Sequence, residues 1–383
     1  MPSIADLTAP LTLRCGVVLP NRLVMAPMGA QGSDPRTGLV TADDVRYLAR
    51  RSRVAGTIVT GAAFVTREGR GFERQISIAE DAAVPGLAAL ARSAKADGSV
   101  ALVQLYHGGR EAHPAAVETG RTLAPSAMAF PWLAHQPHEM TDAEIRATIA
   151  AFGAATRRAI AAGFDGVEVH GANHYLLQQF FSAYSNRRTD AWGGDLERRM
   201  AFPLAVVAEV QRVAATAGRP FVVGYRLCPD EVHGDTVGYT AEEAGVLVDR
   251  LADAGVDYVH VSVFTGWAAA PEGADRSYGR LVQDAAAGRC PVVIVSEVAT
   301  ADDAARALEH GDLVAIGRAA LIEPEFAHKV AQERLDEIET SVKGRLADLA
   351  LPNGLLDWYA SGAGLPPLEG LDEYLDERRG TVG

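Results

Sequence analysis

One short pattern recurs along the chain: a helical stretch, a glycine, and then a run rich in valine and isoleucine. The runs are nearly continuous in apolar residues rather than alternating, which is typical of strands buried on both faces. A glycine just past a helix suits the left-handed backbone at that position, because it has no Cβ. The glycines that open these runs are Gly56, Gly98, Gly163, Gly218, Gly255, Gly288 and Gly311.

A further apolar run, Leu23 to Ala26 in NRLVMAPM, precedes these seven. Capping boxes mark three of the helices between the runs: Thr141 with Glu144, Thr240 with Glu243, and the weaker pair Thr300 with Asp303. Eight strand-then-helix units without a break in composition predict an α/β fold, a single closed (β/α)8 TIM barrel. An open doubly wound sheet would also alternate strands and helices, but no GxGxxG motif follows the first strand.

The predicted barrel core covers about residues 20–330 of a single TIM-barrel domain that we expect to span residues 1–383. Ahead of it, LTLRCGVVLPN resembles a short hairpin that would plug the bottom of the barrel. The tail, residues 331–383, is charged and then rich in proline and glycine. It predicts an added helix and a partly mobile end.

The net charge and the cysteine content indicate which binding partners and which cellular compartment the sequence favours. The formal net charge of −13 argues against nucleic acid or an anionic membrane, since both are polyanions. No run approaches the ~18 apolar residues of a membrane span, and MPSIADLTAP has an Asp where a secretory signal needs positive charge. The cysteines, Cys15, Cys228 and Cys290, lie far apart without a CxxC, so no disulfide framework or thiolate metal site is expected. We expect a cytoplasmic protein.

In barrels of this type the chemistry lies at the carboxyl ends of the strands. Those ends carry Gln104, His170 with Asn173 and Tyr175, Arg226, Ser296 with Glu297, and Gly317 with Arg318. Each residue alone is ordinarily structural. Together they place several hydrogen-bond donors and few carboxylates at one mouth, which favours an anionic or electron-rich ligand over a metal ion. The ends of strands seven and eight are also where barrels commonly bind phosphate.

Five longer segments carry motifs in order: NRLVMAPM, VQLYHGGR, AGFDGVEVHGANHYLLQQFFSAYSNRRTDAWGGDLERR, VGYRL and DLVAIGRAALIEPEF. They resemble the strand motifs of the old yellow enzyme family of FMN-dependent ene-reductases. The likeness covers roughly residues 11–330, and five motifs in the right order are far more specific than any one of them. It implies bound FMN and either NADH or NADPH as the hydride donor.

The resemblance also implies cofactor contacts, residue by residue. The backbone at Ala26, Pro27 and Met28 would contact the redox edge of the flavin ring, and Gly61 would let the second strand approach the ring closely. Gln104 would bond the pyrimidine half, and Arg226 would lie beside the position that becomes negative on reduction, where a fixed cation stabilises charge. The phosphate would be held by Ser296, Gly317 and Arg318, with Glu297 beside them.

For the substrate, the resemblance implies an oxyanion clamp and an acid. His170 and Asn173 would bond the carbonyl or nitro oxygen of an electron-poor alkene, so that its β-carbon accepts hydride. Tyr175 would protonate the α-carbon from the opposite face. The implied activity is hydride transfer from NADH or NADPH, through FMN, to the activated double bond of an α,β-unsaturated carbonyl or nitro compound.

Five positions depart from the family pattern. Gly29 and Gln31 replace larger residues beside the flavin and would leave room for bulkier substrates, although Gly29 would equally serve a positive backbone φ. His174 stands where glycine is common. Ser296 and Glu297 replace a glycine-containing pair, and the Glu297 carboxylate would repel a phosphate unless it points away.

Other functions remain open from the sequence. The same clamp and acid would serve a flavin-dependent desaturase or isomerase, and a catalytically idle flavin-binding barrel is a third reading that the retained polar residues oppose. A cofactor-free barrel aldolase would need a strand-end lysine, and the strand ends above carry none. The sequence allows a homo-oligomer and names no physiological substrate.

Overall fold

Our computed structural model describes residues 2–362, 366–372, 374 and 375. Within these residues, eight parallel strands pair in chain order, and the first also pairs with the last, so the sheet closes into a barrel. The predicted fold is therefore confirmed. The strands are β1 (Leu23–Met25), β2 (Thr57–Val59), β3 (Val100–Tyr106), β4 (Gly166–Gly171), β5 (Val222–Leu227), β6 (Tyr258–Val261), β7 (Val292–Val295) and β8 (Leu313–Ile316).

Helices connect the strands and cover the outside of the barrel. They are α1 (Ala42–Arg50), α2 (Val84–Ala94), α3 (Asp142–Ala162), α4 (Leu196–Ala214), α5 (Ala241–Ala254), α6 (Tyr278–Ala286) and α7 (Ala301–Ala307), with Arg318–Ile322 and Phe326–Ala331 after β8. All three predicted capping boxes form, including the weaker one, where Asp303 accepts from the Thr300 backbone N–H at 3.0 Å. Short helices elsewhere span Ile4–Leu7, His113–Thr119 and Leu176–Phe181.

The glycines of the repeat serve two different purposes. Gly163 and Gly255 end α3 and α5 with φ of 83° and 85°, the left-handed conformation that was predicted. Gly56 has no such φ; a Cβ there would lie 2.6 Å from Oδ1 of Asn21, which accepts the Gly56 N–H. The prediction of a left-handed backbone was therefore wrong for Gly56, where close packing excludes a side chain. It was also wrong for Gly311, where a Cβ would lie 2.9 Å from Cγ2 of Ile294.

The N-terminal hairpin, Leu11–Thr12 paired with Val18–Leu19, closes one end of the barrel. Leu13 and Leu19 are buried in an apolar cluster with strand residues that include Leu102 and Leu313. The backbone N–H of Cys15 donates to Oδ1 of Asp257 at 2.8 Å, which fixes the hairpin to the start of β6. The predicted plug is thus the floor of the barrel, and it leaves the carboxyl ends of the strands as the open mouth.

A short strand, Ala63–Phe64, pairs with β3, and two separate pairs of short strands form outside the barrel sheet: Leu123–Ala124 with His138–Glu139, and Glu231–His233 with Thr236–Tyr239. The predicted C-terminal helix spans Asn353–Ala360. The predicted mobile end, residues 376–383, lies outside the described residues. None of the helices in the described part of the chain has the length and apolar character needed to cross a membrane.

Candidate active site

A cavity of about 1120 Å³ opens at the carboxyl ends of the strands. Every residue predicted for the site lines it, although the sequence spreads these residues over some 290 positions. They are Ala26, Pro27, Met28, Gly29, Gln31, Gly61, Gln104, His170, Asn173, Tyr175, Arg226, Ser296, Glu297, Gly317 and Arg318. The individual roles of these residues remain predictions.

A buried carboxylate holds the base of the cavity together. Glu168, on β4, accepts from Gln104 Nε2 at 2.7 Å and from the Tyr258 hydroxyl at 2.9 Å, and lies 2.9 Å from Nδ1 of His260. Burial acts to raise the pKa of Glu168, but His260, Arg226 and the Tyr258 hydrogen bond outweigh it and lower that pKa to about 2. Glu168 therefore stays ionised and fixes the Gln104 amide, a function the sequence reading missed.

A relay of hydrogen bonds orients Asn173. Arg226 Nη2 donates to Ser262 Oγ at 3.0 Å, and Ser262 Oγ donates to Asn173 Oδ1 at 2.9 Å. Because the amide oxygen of Asn173 is occupied in this way, its NH₂ group is the part left to face a ligand. Arg226 is buried, and its Nε has no hydrogen-bond partner among the described residues.

His170 is a neutral donor. Its Nδ1 accepts the backbone N–H of Ala172 at 3.3 Å, so the ring proton resides on Nε2. Burial, with a smaller contribution from the positive charge of Arg226, lowers the pKa of His170 to about 3. The imidazole thus offers one N–H at neutral pH, as an oxyanion donor requires.

Tyr175 lies next to these donors. Its ring centroid is 5.0 Å from that of His170, with the planes nearly perpendicular, and 4.4 Å from that of Tyr106. Burial raises the pKa of Tyr175 to about 12. The phenol therefore keeps its proton at neutral pH and can donate it.

The turn after β7 is where the chain departs from the glycine-containing pair of the family pattern. Ser296 and Glu297 have φ of 99° and 56°, a region that favours glycine, so a glycine-containing pair suits this turn. A Cβ built on Gly266 would lie 2.7 Å from Glu297 Oε2, which shows that the carboxylate lies against the loop after β6. Gly317 and Arg318, after β8, line the same side of the cavity.

The packing around two glycines at the mouth excludes one explanation for Gly29 and supplies one for Gly61. Gly29 is not in the left-handed region, and a Cβ there would meet only Gln31 Nε2, at 3.7 Å; the φ explanation was wrong. A Cβ at Gly61 would lie 2.5 Å from the carbonyl oxygen of Met28. Gly61 is therefore required by the contact between the ends of β1 and β2, whatever its distance from a ligand.

Sequence reasoning missed two groups of residues at the mouth. The C-terminal segment supplies part of the cavity wall through Leu355, Trp358 and Tyr359, and the Trp358 ring lies 5.7 Å from that of Phe72. The apolar residues of NGLLDWYA were the sequence feature that could have indicated that this segment packs against the cavity. A second group, His174, Glu231 and His233, meets beside the cavity, where the sequence reading expected no metal-ligating cluster.

Comparison with known proteins identifies a family model and relatives to which the chain is similar. The family model described as NADH:flavin oxidoreductase / NADH oxidase family matches residues 6–337. A probable NADH-dependent flavin oxidoreductase, YqiG of Bacillus subtilis (strain 168), is 40% identical over 90% of this chain and 92% of that protein. The NADH:acrylate oxidoreductase of Vibrio harveyi is 41% identical over 86% of this chain, but the match spans only 33% of that protein.

Among solved structures, the old yellow enzyme homologue from Zymomonas mobilis matches with a TM-score of 0.73 and 25% identity, covering 86% of this chain and 93% of that one. The cavity fits the cofactor of this family, because a buried guanidinium with an unpartnered Nε and an amide held by Glu168 line a space suited to a planar anion. The predicted resemblance, the enzyme class and the dependence on FMN with NADH or NADPH are confirmed at the level of the family. The chain belongs to the NADH:flavin oxidoreductase / NADH oxidase family, the FMN-dependent oxidoreductases of old yellow enzyme type.

Proposed function

We propose that this protein is an ene-reductase, which uses FMN to transfer hydride from NADH or NADPH to the activated C=C bond of an α,β-unsaturated carbonyl or nitro compound. One observation carries the proposal. Two neutral donors fixed by the fold, Nε2–H of His170 and the NH₂ of Asn173, line the same cavity as a protonated phenol, Tyr175.

Several residues would hold FMN in this cavity. The Gln104 amide and the Arg226 guanidinium would bond the ring, and Ser296, Gly317 and Arg318 would take the phosphate. When bound, FMN supplies the hydride carrier between nicotinamide and alkene. The guanidinium favours a negative charge on the ring, because a fixed cation in a water-excluded site needs no reorganisation.

His170 and Asn173 would bind the carbonyl or nitro oxygen of the substrate. Their hydrogen bonds stabilise the negative charge that develops on this oxygen as the β-carbon accepts hydride. Both donors are positioned before the substrate arrives: the imidazole by the Ala172 N–H and the amide by the Arg226–Ser262 relay. Tyr175 would then give its proton to the α-carbon.

The decisive experiment measures the two half-reactions separately on purified, FMN-containing protein under anaerobic conditions. Titration with NADH and NADPH identifies the donor, and a panel of enones and nitroalkenes identifies the acceptor class. Tyr175→Phe should slow flavin reoxidation by an enone ~10²–10⁴-fold while leaving reduction by nicotinamide unchanged, since positioned acid catalysis is worth that much.

Tyr184→Phe is the matched control, because it removes the same hydroxyl from a tyrosine that lies outside the flavin cavity, against Phe130 and His233. It should leave both half-reactions unchanged. Failure of every alkene to reoxidise the flavin would exclude the reductase assignment. Production of the unsaturated compound from a saturated ketone would identify a desaturase instead.

A further inference from the structure

A second cavity, of about 430 Å³, adjoins the first and shares Phe72, Asn173, His174 and Tyr175 with it. His174 and His233 line this second cavity, and together with Glu231 each offers a ligand atom within 4.8 Å of the other two. Zinc ligands at 2.0–2.2 Å in a tetrahedron lie roughly 3.3–3.6 Å apart, so small side-chain movements would bring the three atoms onto one ion.

The hairpin strand Glu231–His233 presents two of the ligands. The hairpin pairing shifts register between Glu231 and Val232, and Val232 is exposed while the side chains of Glu231 and His233 meet. Nε2 of His233 lies 3.0 Å from Glu231 Oε1. The His233 ring is held between Trp132, nearly parallel at 6.2 Å, and Tyr184 at 4.6 Å, which fixes its position.

His174 presents an unprotonated nitrogen to the same carboxylate. The Gln178 side-chain oxygen accepts the His174 backbone N–H at 2.9 Å, so the amide NH₂ is the end that faces Glu231 Oε2, at 2.8 Å. This NH₂ is also 3.4 Å from His174 Nδ1, and because it can only donate, Nδ1 carries a lone pair there. That lone pair lies 3.9 Å from Glu231 Oε2, a repulsive pairing that an intervening cation would make attractive.

Glu231 is a buried carboxylate whose ion-pair partners are the histidines His174 and His233; the charge of Arg110 also acts on it, without forming an ion pair. Its donors are the neutral groups of Gln178 and Ser182, each at 2.8 Å, and the imidazole of His233. Among the residues that the structure describes, neither a lysine nor an arginine forms an ion pair with it. A buried carboxylate is ordinarily paired or bound to a metal ion, because desolvation of an isolated charge is costly.

We propose that His174, Glu231 and His233 form a binding site for a divalent d-block cation, with zinc the best match to two imidazoles and one carboxylate. Three protein ligands leave the remaining coordination position to water or to a ligand from the adjoining cavity. Gln178 and Ser182 orient the carboxylate, as outer-shell hydrogen bonds do at metal sites. The proposal does not depend on the alkene chemistry, because its test measures zinc binding; of the three residues, His174 also lines the flavin cavity, and Glu231 and His233 do not.

The test uses untagged, FMN-loaded protein that has been treated with a chelator and dialysed. Calorimetric titration with zinc chloride should give one site per chain, and zinc-edge X-ray absorption should show two imidazoles. His174→Asn, which suits the left-handed backbone at φ 62°, and His233→Gln should each weaken zinc at least ~100-fold, because even outer-shell changes cost 10–100-fold.

His113→Gln is the matched control, because this histidine lines the same small cavity but lies beside Glu111 rather than in the cluster. It should leave zinc binding unchanged, and the flavin spectrum of each variant reports folding. Absence of zinc binding in the parent protein, zinc binding as tight in both cluster variants as in the parent, or loss confined to His113→Gln would each overturn the proposal. If both cluster variants lose FMN, the X-ray absorption spectrum of the parent protein tests the proposal, and fewer than two imidazoles around zinc would contradict it.

Discussion

Removal of the Ser262 hydroxyl should weaken the substrate clamp without changing a residue that binds substrate. Ser262 is 2% exposed, donates to Asn173 Oδ1 at 2.9 Å and accepts from Arg226 Nη2 at 3.0 Å. In Ser262→Ala both partners lose a bond in a buried site, and the Asn173 amide can turn its oxygen toward the cavity. The structure therefore predicts weaker binding of any ligand whose oxygen accepts from Asn173.

The magnitude follows from one neutral hydrogen bond. A net contribution of about 0.5–1.5 kcal/mol corresponds to a rise of about 2- to 13-fold in the dissociation constant. The assay is titration of oxidised enzyme with a phenol, whose oxygen at the clamp should place an electron-rich ring over FMN and produce a long-wavelength charge-transfer band. The free energy of unfolding should also fall, by about 1–3 kcal/mol for each buried group left unpaired.

Ser99→Ala separates the clamp effect from general destabilisation. Ser99 is also buried, donates to the backbone carbonyls of Ser52 and Ala55 at 2.9 and 2.7 Å, and lies at the opposite end of the barrel, just before β3. It should lower stability while leaving the phenol dissociation constant unchanged. Equal phenol binding by Ser262→Ala and Ser99→Ala would refute the relay.

Two further predictions concern pH and pocket size. The pKa of His170 is about 3 in the folded state, against an ordinary 6.5, so between these two values only the unfolded chain binds the proton. The free energy of unfolding should therefore fall as pH drops from 6.5 towards 3. His170→Asn should make the free energy of unfolding depend less steeply on pH in this range. A slope identical in both proteins would contradict the assignment. Gly29→Cys should fold and keep FMN, because a Cβ at this position meets only Gln31 Nε2, at 3.7 Å. We expect this variant to have a shifted flavin midpoint potential and to lose more activity on bulky enones than on small ones. Loss of FMN from this variant would show that the added side chain cannot be accommodated.

The features that could be predicted from the sequence are those determined by residues close together in the chain. Thr141, Thr240 and Thr300 start helices because each bonds the backbone three residues later, and Gly163 ends one because of its φ. The strand-end rule then placed His170, Arg226 and Arg318 at one mouth, since every strand of a parallel barrel ends on the same side.

The parts that could not be predicted depend on contacts between distant segments. In the sequence, Glu168 is a single polar residue inside an apolar strand. The three side chains that contact its carboxylate come from two other strands, β3 and β6. Trp358 belongs to a tail whose docking follows from tertiary packing against Phe72. The cluster at His174 forms because the hairpin after β5 folds back over the mouth, which no spacing in the sequence fixes.

Closure of the barrel has a consequence for synthesis of the protein. Val24 of β1 is the register partner of Ala315 of β8, so β1 has an unsatisfied edge until almost the whole barrel has left the ribosome. At translation rates of 5–20 residues per second, this interval lasts roughly 15–60 seconds. During that time the nascent chain carries open strand edges of the kind that pair with other chains. Aggregation during expression should therefore depend on elongation rate between β1 and β8 more than on the stability of the finished enzyme.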